Sequence, residues 1–100
     1  MGIRESFEIG GRIALVTGGS RGLGLQMARG LGEMGATVAI SARKAGELEE
    51  ARDLLARDGV RVIAIQNDLS QPDEVPRLVD AVVQQLGAID ILVIESASRH

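Results

Sequence analysis

The residues that could do chemistry in this chain gather in one stretch, TGGSRGLG, from Thr17 to Gly24, which places four glycines directly after the apolar run IALV. Where a strand passes through glycines into a helix, the first N–H groups of that helix are unpaired and lie at the positive end of its dipole. A phosphate can bind there, and glycine lets it approach the backbone closely. The spacing Gly18-x-x-x-Gly22-x-Gly24 is not G-x-G-x-x-G, and no Lys-Ser/Thr follows to make a P-loop. A tight turn plus a helix packed closely on its strand explains Gly24 and one other glycine equally well.

Other reactive groups are scarce. The chain has no cysteine, which excludes disulfides and zinc-thiolate sites, and a reducing cytoplasm is the default setting. Ser98 and His100 suggest a nucleophile and base, but they are terminal neighbours without an orienting acid, and a frayed polar tail is the simpler reading. No catalytic and no metal-binding residue is assigned.

The elements that must position the loop follow from the apolar pattern. Arg12 to Val16, Thr37 to Ile40, Val60 to Ile65 and Ile89 to Ile94 are short runs rich in Val and Ile, read as strands buried on both faces. Between them lie three helical stripes: Leu23, Met27, Leu31 and Met34; Leu48, Ala51 and Leu55; and Val75, Leu78, Val79, Val82 and Leu86. Core packing accounts for Met27 and Met34. Gly35, Gly59 and Gly87 close the helices, and Ser70 is expected to cap the third, with Pro72 in its first turn and Asp73 as capping-box partner. Strands alternating with helices imply an α/β fold with a parallel sheet.

One hundred residues make one small domain. A net charge of -3, with ten arginines and only Lys44 among 14 acids, offers no basic patch for nucleic acid. No apolar run is long enough for a membrane span and no signal peptide is evident. Met1, Gly2 and Ser6 fit the loose myristoylation pattern, which short sequences match by chance.

The motifs together resemble the short-chain dehydrogenase/reductase family. TGGSRGLG is similar to its cofactor loop T-G-x-x-x-G-x-G, ATVAISAR to its second strand, NDL at Asn67 to Leu69 to its adenine contact, and DILV at Asp90 to Val93 to the lead into N-N-A-G. Order and spacing match from about Gly11 to Val93. The first half looks most like 3-oxoacyl-carrier-protein reductases and gluconate 5-dehydrogenase-like enzymes. The resemblance implies a Rossmann-like half with about four parallel strands in the order 3-2-1-4 and three helices, an incomplete doubly wound fold.

It also implies a cofactor site at Thr17, Gly18, Ser20, Arg21, Gly22, Leu23, Gly24, Arg43, Asp68 and Leu69. The carboxylate that would select NAD by repelling a 2′-phosphate is replaced by Ala42, and Arg21 and Arg43 suit that phosphate, so NADP(H) is expected over NAD(H). Two solvated surface arginines are the plainer alternative. Asp68 would accept from the adenine amino group with Leu69 beside the ring; alternatively, or additionally, Asp68 caps the Ser70 turn. Thr17 would brace the loop through its hydroxyl.

The family's Tyr-Lys acid-base pair is missing: the chain contains no Tyr, and Lys44 lies at the adenosine end. Residues 94–100 also depart from the family, because Ile94, Glu95, Ser96 and Ala97 replace N-N-A-G. The expectation is a truncated or frameshifted NADP-binding domain spanning 1–100, unable to turn over an alcohol or carbonyl substrate. Its bare second sheet face and its fourth strand, an apolar edge, favour self-association or a homo-oligomer. The alternative class is a non-catalytic remnant, or a subunit binding a nucleotide or partner.

Overall fold

In the computed structural model, residues 10–18 and 20–94 are described. The chain runs β1 (Ile13–Thr17), α1 (Gly22–Glu33), β2 (Thr37–Ala42), α2 (Ala45–Arg57), β3 (Val62–Gln66), α3 (Glu74–Leu86) and β4 (Ile91–Ile94). The four strands form one sheet in the order β3-β2-β1-β4, and every pairing is parallel. This is the expected 3-2-1-4 order.

Each strand is short, β-branched and apolar, so both faces of the central pair can be buried. Ala14 and Val16 of β1 and Val38 and Ile40 of β2 face Ala28 of α1 and Leu48, Ala51 and Leu55 of α2. Leu15 and Ala39 face the other way, against Leu78 and Val82 of α3. Two helices therefore cover one face and one covers the other. On β4, Leu92 is 54% and Ile94 65% exposed, and the strand pairs only with β1 among the described strands.

Gly35, Gly59 and Gly87 have φ of 104°, 86° and 110°, as expected of residues that end helices in conformations an L side chain resists. Several local expectations need correction. The stripe of Leu23, Met27 and Met34 does not face the sheet; all three are exposed, whereas Gly24 and Ala28 are buried. Small residues let the helix approach the strands closely, so α1 turns Gly24 and Ala28 inward, packs Leu25 and Leu31 of its longer side chains partly buried against the same core, and carries Leu23, Met27 and Met34 on its outer flank.

Ser70 does not cap α3. Its hydroxyl and its N–H both donate to Asp68 Oδ1, at 2.7 and 3.0 Å, forming a turn ahead of the helix. The helix begins at Glu74 with Asp73 at the N-cap and no side-chain cap bond, so Pro72 lies before the first turn, not in it. Val75, counted on the inner stripe, is exposed.

Candidate functional site

Parallel strands bring all their carboxyl ends to one edge of the sheet, and the sequence-derived site residues lie along it. At the end of β1, Thr17 Oγ1 donates to Val93 O at 3.4 Å, tying the strand to β4. Gly18 (φ 73°) donates its N–H to Ser41 O at 2.8 Å, extending the pairing with β2. Its amide is spent on the sheet, so Gly18 contributes a turn and not a free donor. Gly19 lies outside the described residues.

The donors not used by the sheet belong to the helix start, whose first amides have no partner within the helix itself. Arg21 occupies the N-cap of α1 in extended conformation, its side chain makes no cap bond, and the first turn holds no acid. Nothing in α1 itself competes for the first amides or cancels the positive dipole end there. Gly22 opens the helix at φ 62°, and a Cβ on it would meet no atom within 4 Å. This uncapped, open helix start fits a phosphate group. Gly24 is buried, Ser20 is half-buried and Leu23 is 58% exposed.

Two open depressions flank the end of β2. One, of about 400 Å³, is lined by Arg43, Gln66, Asn67, Asp68 and Glu74. Its wall is built by hydrogen bonds. Gln66 Nε2 donates to Arg43 O at 2.9 Å, and Asn67 N–H donates to Ala42 O at 3.0 Å. Asn67 Nδ2 donates to Glu74 O at 3.1 Å and to Glu74 Oε1 at 3.0 Å. Hydrogen bonds from the Ser70 hydroxyl and then the Ser70 N–H hold the Asp68 carboxyl below its ordinary pKa; the Arg43 charge adds to this and slight desolvation opposes it. Leu69 is 39% exposed beside it.

The other depression, of about 340 Å³, lies between α1 and α2 and is lined by Ser20, Arg21, Leu25, Glu47, Glu50, Ala51 and Leu54. There Arg21 Nη1 stands 3.7 Å from Glu47 Oε2. Arg21 and Arg43, paired in the sequence reading, thus open into different depressions on either side of β2. The arrangement can hold an extended anionic ligand along the sheet edge, with a basic side chain in each hollow.

Sequence reasoning missed Gln66 and Glu74 as a polar wall, and named Asn67 only as the start of NDL without a role of its own. Asn67 is only 6% exposed, and a polar residue at the end of an apolar strand was the available signal. Glu47 had no local signal, since only the adjacency of β1 and β2 brings it to Arg21. The tail residues Glu95, Ser96, Ala97, Ser98 and His100 lie outside the described residues, as do Met1, Gly2 and Ser6. Among the described residues no group of three or more His, Asp or Glu could hold a metal ion, and no helix is long and apolar enough to cross a membrane.

Comparison with known proteins gives a consistent result. The family model described as short chain dehydrogenase matches residues 12–99. The chain is 38% identical over 89 residues to a gluconate 5-dehydrogenase of Gluconobacter oxydans, covering 89% of this chain and 35% of that protein. It is 39% identical over 93 residues to an NADP-dependent mannitol dehydrogenase of Hypocrea jecorina, with the same two coverages. The crystal structure of L-sorbose reductase from Gluconobacter frateurii, complexed with NADPH and L-sorbose, superposes with a TM-score of 0.85 at 36% identity, covering 91% of this chain and 35% of that one. The chain therefore spans about a third of the length of these relatives.

Proposed function

Because the chain belongs to the short-chain dehydrogenase family, we propose that it binds NADP(H) in preference to NAD(H), as the cofactor-holding portion of an oxidoreductase acting on a small alcohol or carbonyl compound. The observation that carries this reading is the uncapped start of α1 at the end of β1, with Arg21 at its N-cap and open space above Gly22.

In this reading the α1 amides hold the pyrophosphate and the residues from Thr17 to Gly24 shape the space for it. Ala42 at the end of β2 presents no carboxylate to repel a 2′-phosphate, and Arg43 follows it with an exposed guanidinium. Asp68, kept ionised by Ser70, accepts from the adenine amino group, and Leu69 lies against the ring. When bound, the cofactor supplies the hydride chemistry. The NADP and NADPH named for the mannitol dehydrogenase and the sorbose reductase support the same preference.

These 100 residues contain no tyrosine and a single lysine, Lys44. We place them as a cofactor-binding unit that does not turn over by itself, in a reducing cytoplasm suited to a cysteine-free chain. The test is titration of the chain with NADPH, followed by nicotinamide fluorescence and by melting temperature. Binding without turnover is the expected result; failure to bind either NADPH or NADH overturns the reading. A second reading, a non-catalytic subunit that self-associates, is favoured by the exposure of Leu92 and Ile94 on β4.

A further inference from the structure

The ion pair between Arg21 and Glu47 has a consequence for cofactor choice. Arg21 is anchored at the N-cap of α1, so its guanidinium starts from the phosphate-binding edge. The side chain is 79% exposed and long, so without a partner it would be free to take many positions around the helix start. Glu47 limits that freedom. It sits in the first turn of α2, where the positive end of the helix dipole favours a carboxylate, and its side chain is only 37% exposed. Its Oε2 stands 3.7 Å from Arg21 Nη1, in the depression away from Arg43.

We infer that Glu47 is a specificity-setting counter-charge: it holds Arg21 in the free protein and must release it before Arg21 can pair with the 2′-phosphate of NADP(H). The inference rests on the cofactor reading above and adds a residue to it. A guanidinium cannot make its best charge-assisted contacts with a carboxylate and a phosphate at once when the two lie on different sides. A dinucleotide without the 2′-phosphate makes no such demand and leaves the pair in place. Glu47 thus lowers affinity for NADPH and leaves that for NADH unchanged, which narrows the discrimination that Arg21 and Arg43 would otherwise give. The effect is small, because exposed pairs are weak; it corresponds to roughly a two- to fivefold change in affinity at low salt. It shrinks as salt shortens the reach of the charges.

The experiment is a fluorescence titration of the full 100-residue chain with NADPH and, separately, with NADH, at low and high salt, for the native sequence and for Glu47→Gln. The expected result is a lower Kd for NADPH by about two- to fivefold, an unchanged Kd for NADH, and a smaller difference at high salt. In an Arg21→Gln background the gain from Glu47→Gln disappears. A gain shared by NADH, a gain that survives in Arg21→Gln, weaker NADPH binding or no change at all overturns the inference while leaving the cofactor reading intact. Absence of binding to both nucleotides overturns the two together.

Discussion

Asp90 and Ile13 exchange hydrogen bonds across 77 residues: the Ile13 N–H donates to Asp90 Oδ2 at 2.8 Å, and the Asp90 N–H donates to Ile13 O at 2.8 Å. Asp90 precedes β4 and Ile13 opens β1, so the carboxylate satisfies the first donor of one strand while the backbone fixes the register of the other. The Ala14↔Ile91 pairing follows directly. Since β4 has no other strand beside it among the described residues, this clasp is its principal polar tether at that end. Asp90→Ala is expected to cost about 1.5 kcal/mol, near the lower limit for a hydrogen bond to a charged group because the site is partly solvated. A urea titration showing a lower midpoint at constant slope confirms it; a midpoint equal to the native one counts against it.

Two glycines of α1 should respond in opposite directions to the same substitution. A Cβ on Gly32 would meet Val60 Cγ1 and come within 2.7 Å of Val60 Cγ2, on the turn that leads into β3. Gly32→Ala is therefore expected to lose about 1–2 kcal/mol from overpacking, after the helix-propensity gain is subtracted. A Cβ on Gly30 would meet nothing within 4 Å, and Gly30→Ala should gain about 0.5–1 kcal/mol. Equal responses at the two positions would remove the close approach of α1 and Val60 as their cause.

Asp68 provides a pH prediction. Its folded pKa lies below the ordinary 3.8, chiefly through the Ser70 hydroxyl and N–H. A depressed carboxylate contributes stability above its unfolded pKa, and loses it as pH falls through the folded value, so the contribution fades below about pH 3.8. Ser70→Ala removes the hydroxyl donor and leaves the N–H. The Asp68 carboxyl, followed by NMR titration, should move upward towards 3.8, and an unmoved titration would show that the hydroxyl is not the main cause.

The elements and helix ends were legible in the sequence because β-branched runs and helix-ending glycines are local signals, whereas the sheet order came from the family resemblance. The orientation of α1 was not: Leu23, Met27 and Met34 form a convincing apolar stripe, yet Gly24 and Ala28 set the contact face, because close approach depends on the smallest residues. Ser70 misled in a similar way, since its hydroxyl serves the Asp68 turn two residues back and not a helix. Of the candidate site, the glycine loop could be read directly, while the Arg21–Glu47 pair joins two helices brought together only by the parallel crossovers, and the Asn67–Glu74 link depends on how the loop between β3 and α3 folds back on itself.

The exposed edge leads to a prediction about association. Leu92 and Ile94 present 54% and 65% of their surface on β4, and an open apolar edge strand pairs readily with another chain. The chain is expected to self-associate at micromolar concentration through this strand. Leu92→Lys should weaken that association roughly tenfold, through loss of about 1.5 kcal/mol of apolar burial and a charge placed on the edge. Sedimentation velocity over a concentration series provides the readout, and a monomeric native chain at all concentrations would eliminate the edge as an interface.

Arg43 gives the most direct test of cofactor preference. It follows β2, lines the depression shared with Asp68, and is fixed through its backbone by the Gln66 hydrogen bond, so a change of side chain leaves its anchoring in place. Arg43→Asp removes a fork of donors suited to phosphate oxygens and sets a carboxylate beside them. A charge-assisted bond of this kind contributes about 1.5–3 kcal/mol, so NADPH affinity should fall roughly 10- to 100-fold. NADH affinity should hold or improve, because the new carboxylate can accept from a free ribose hydroxyl. The ratio of the two dissociation constants is the decisive quantity, since general damage to the site would weaken both nucleotides alike. An unchanged ratio would remove Arg43 from the 2′-phosphate site and leave Arg21 as its remaining basic residue.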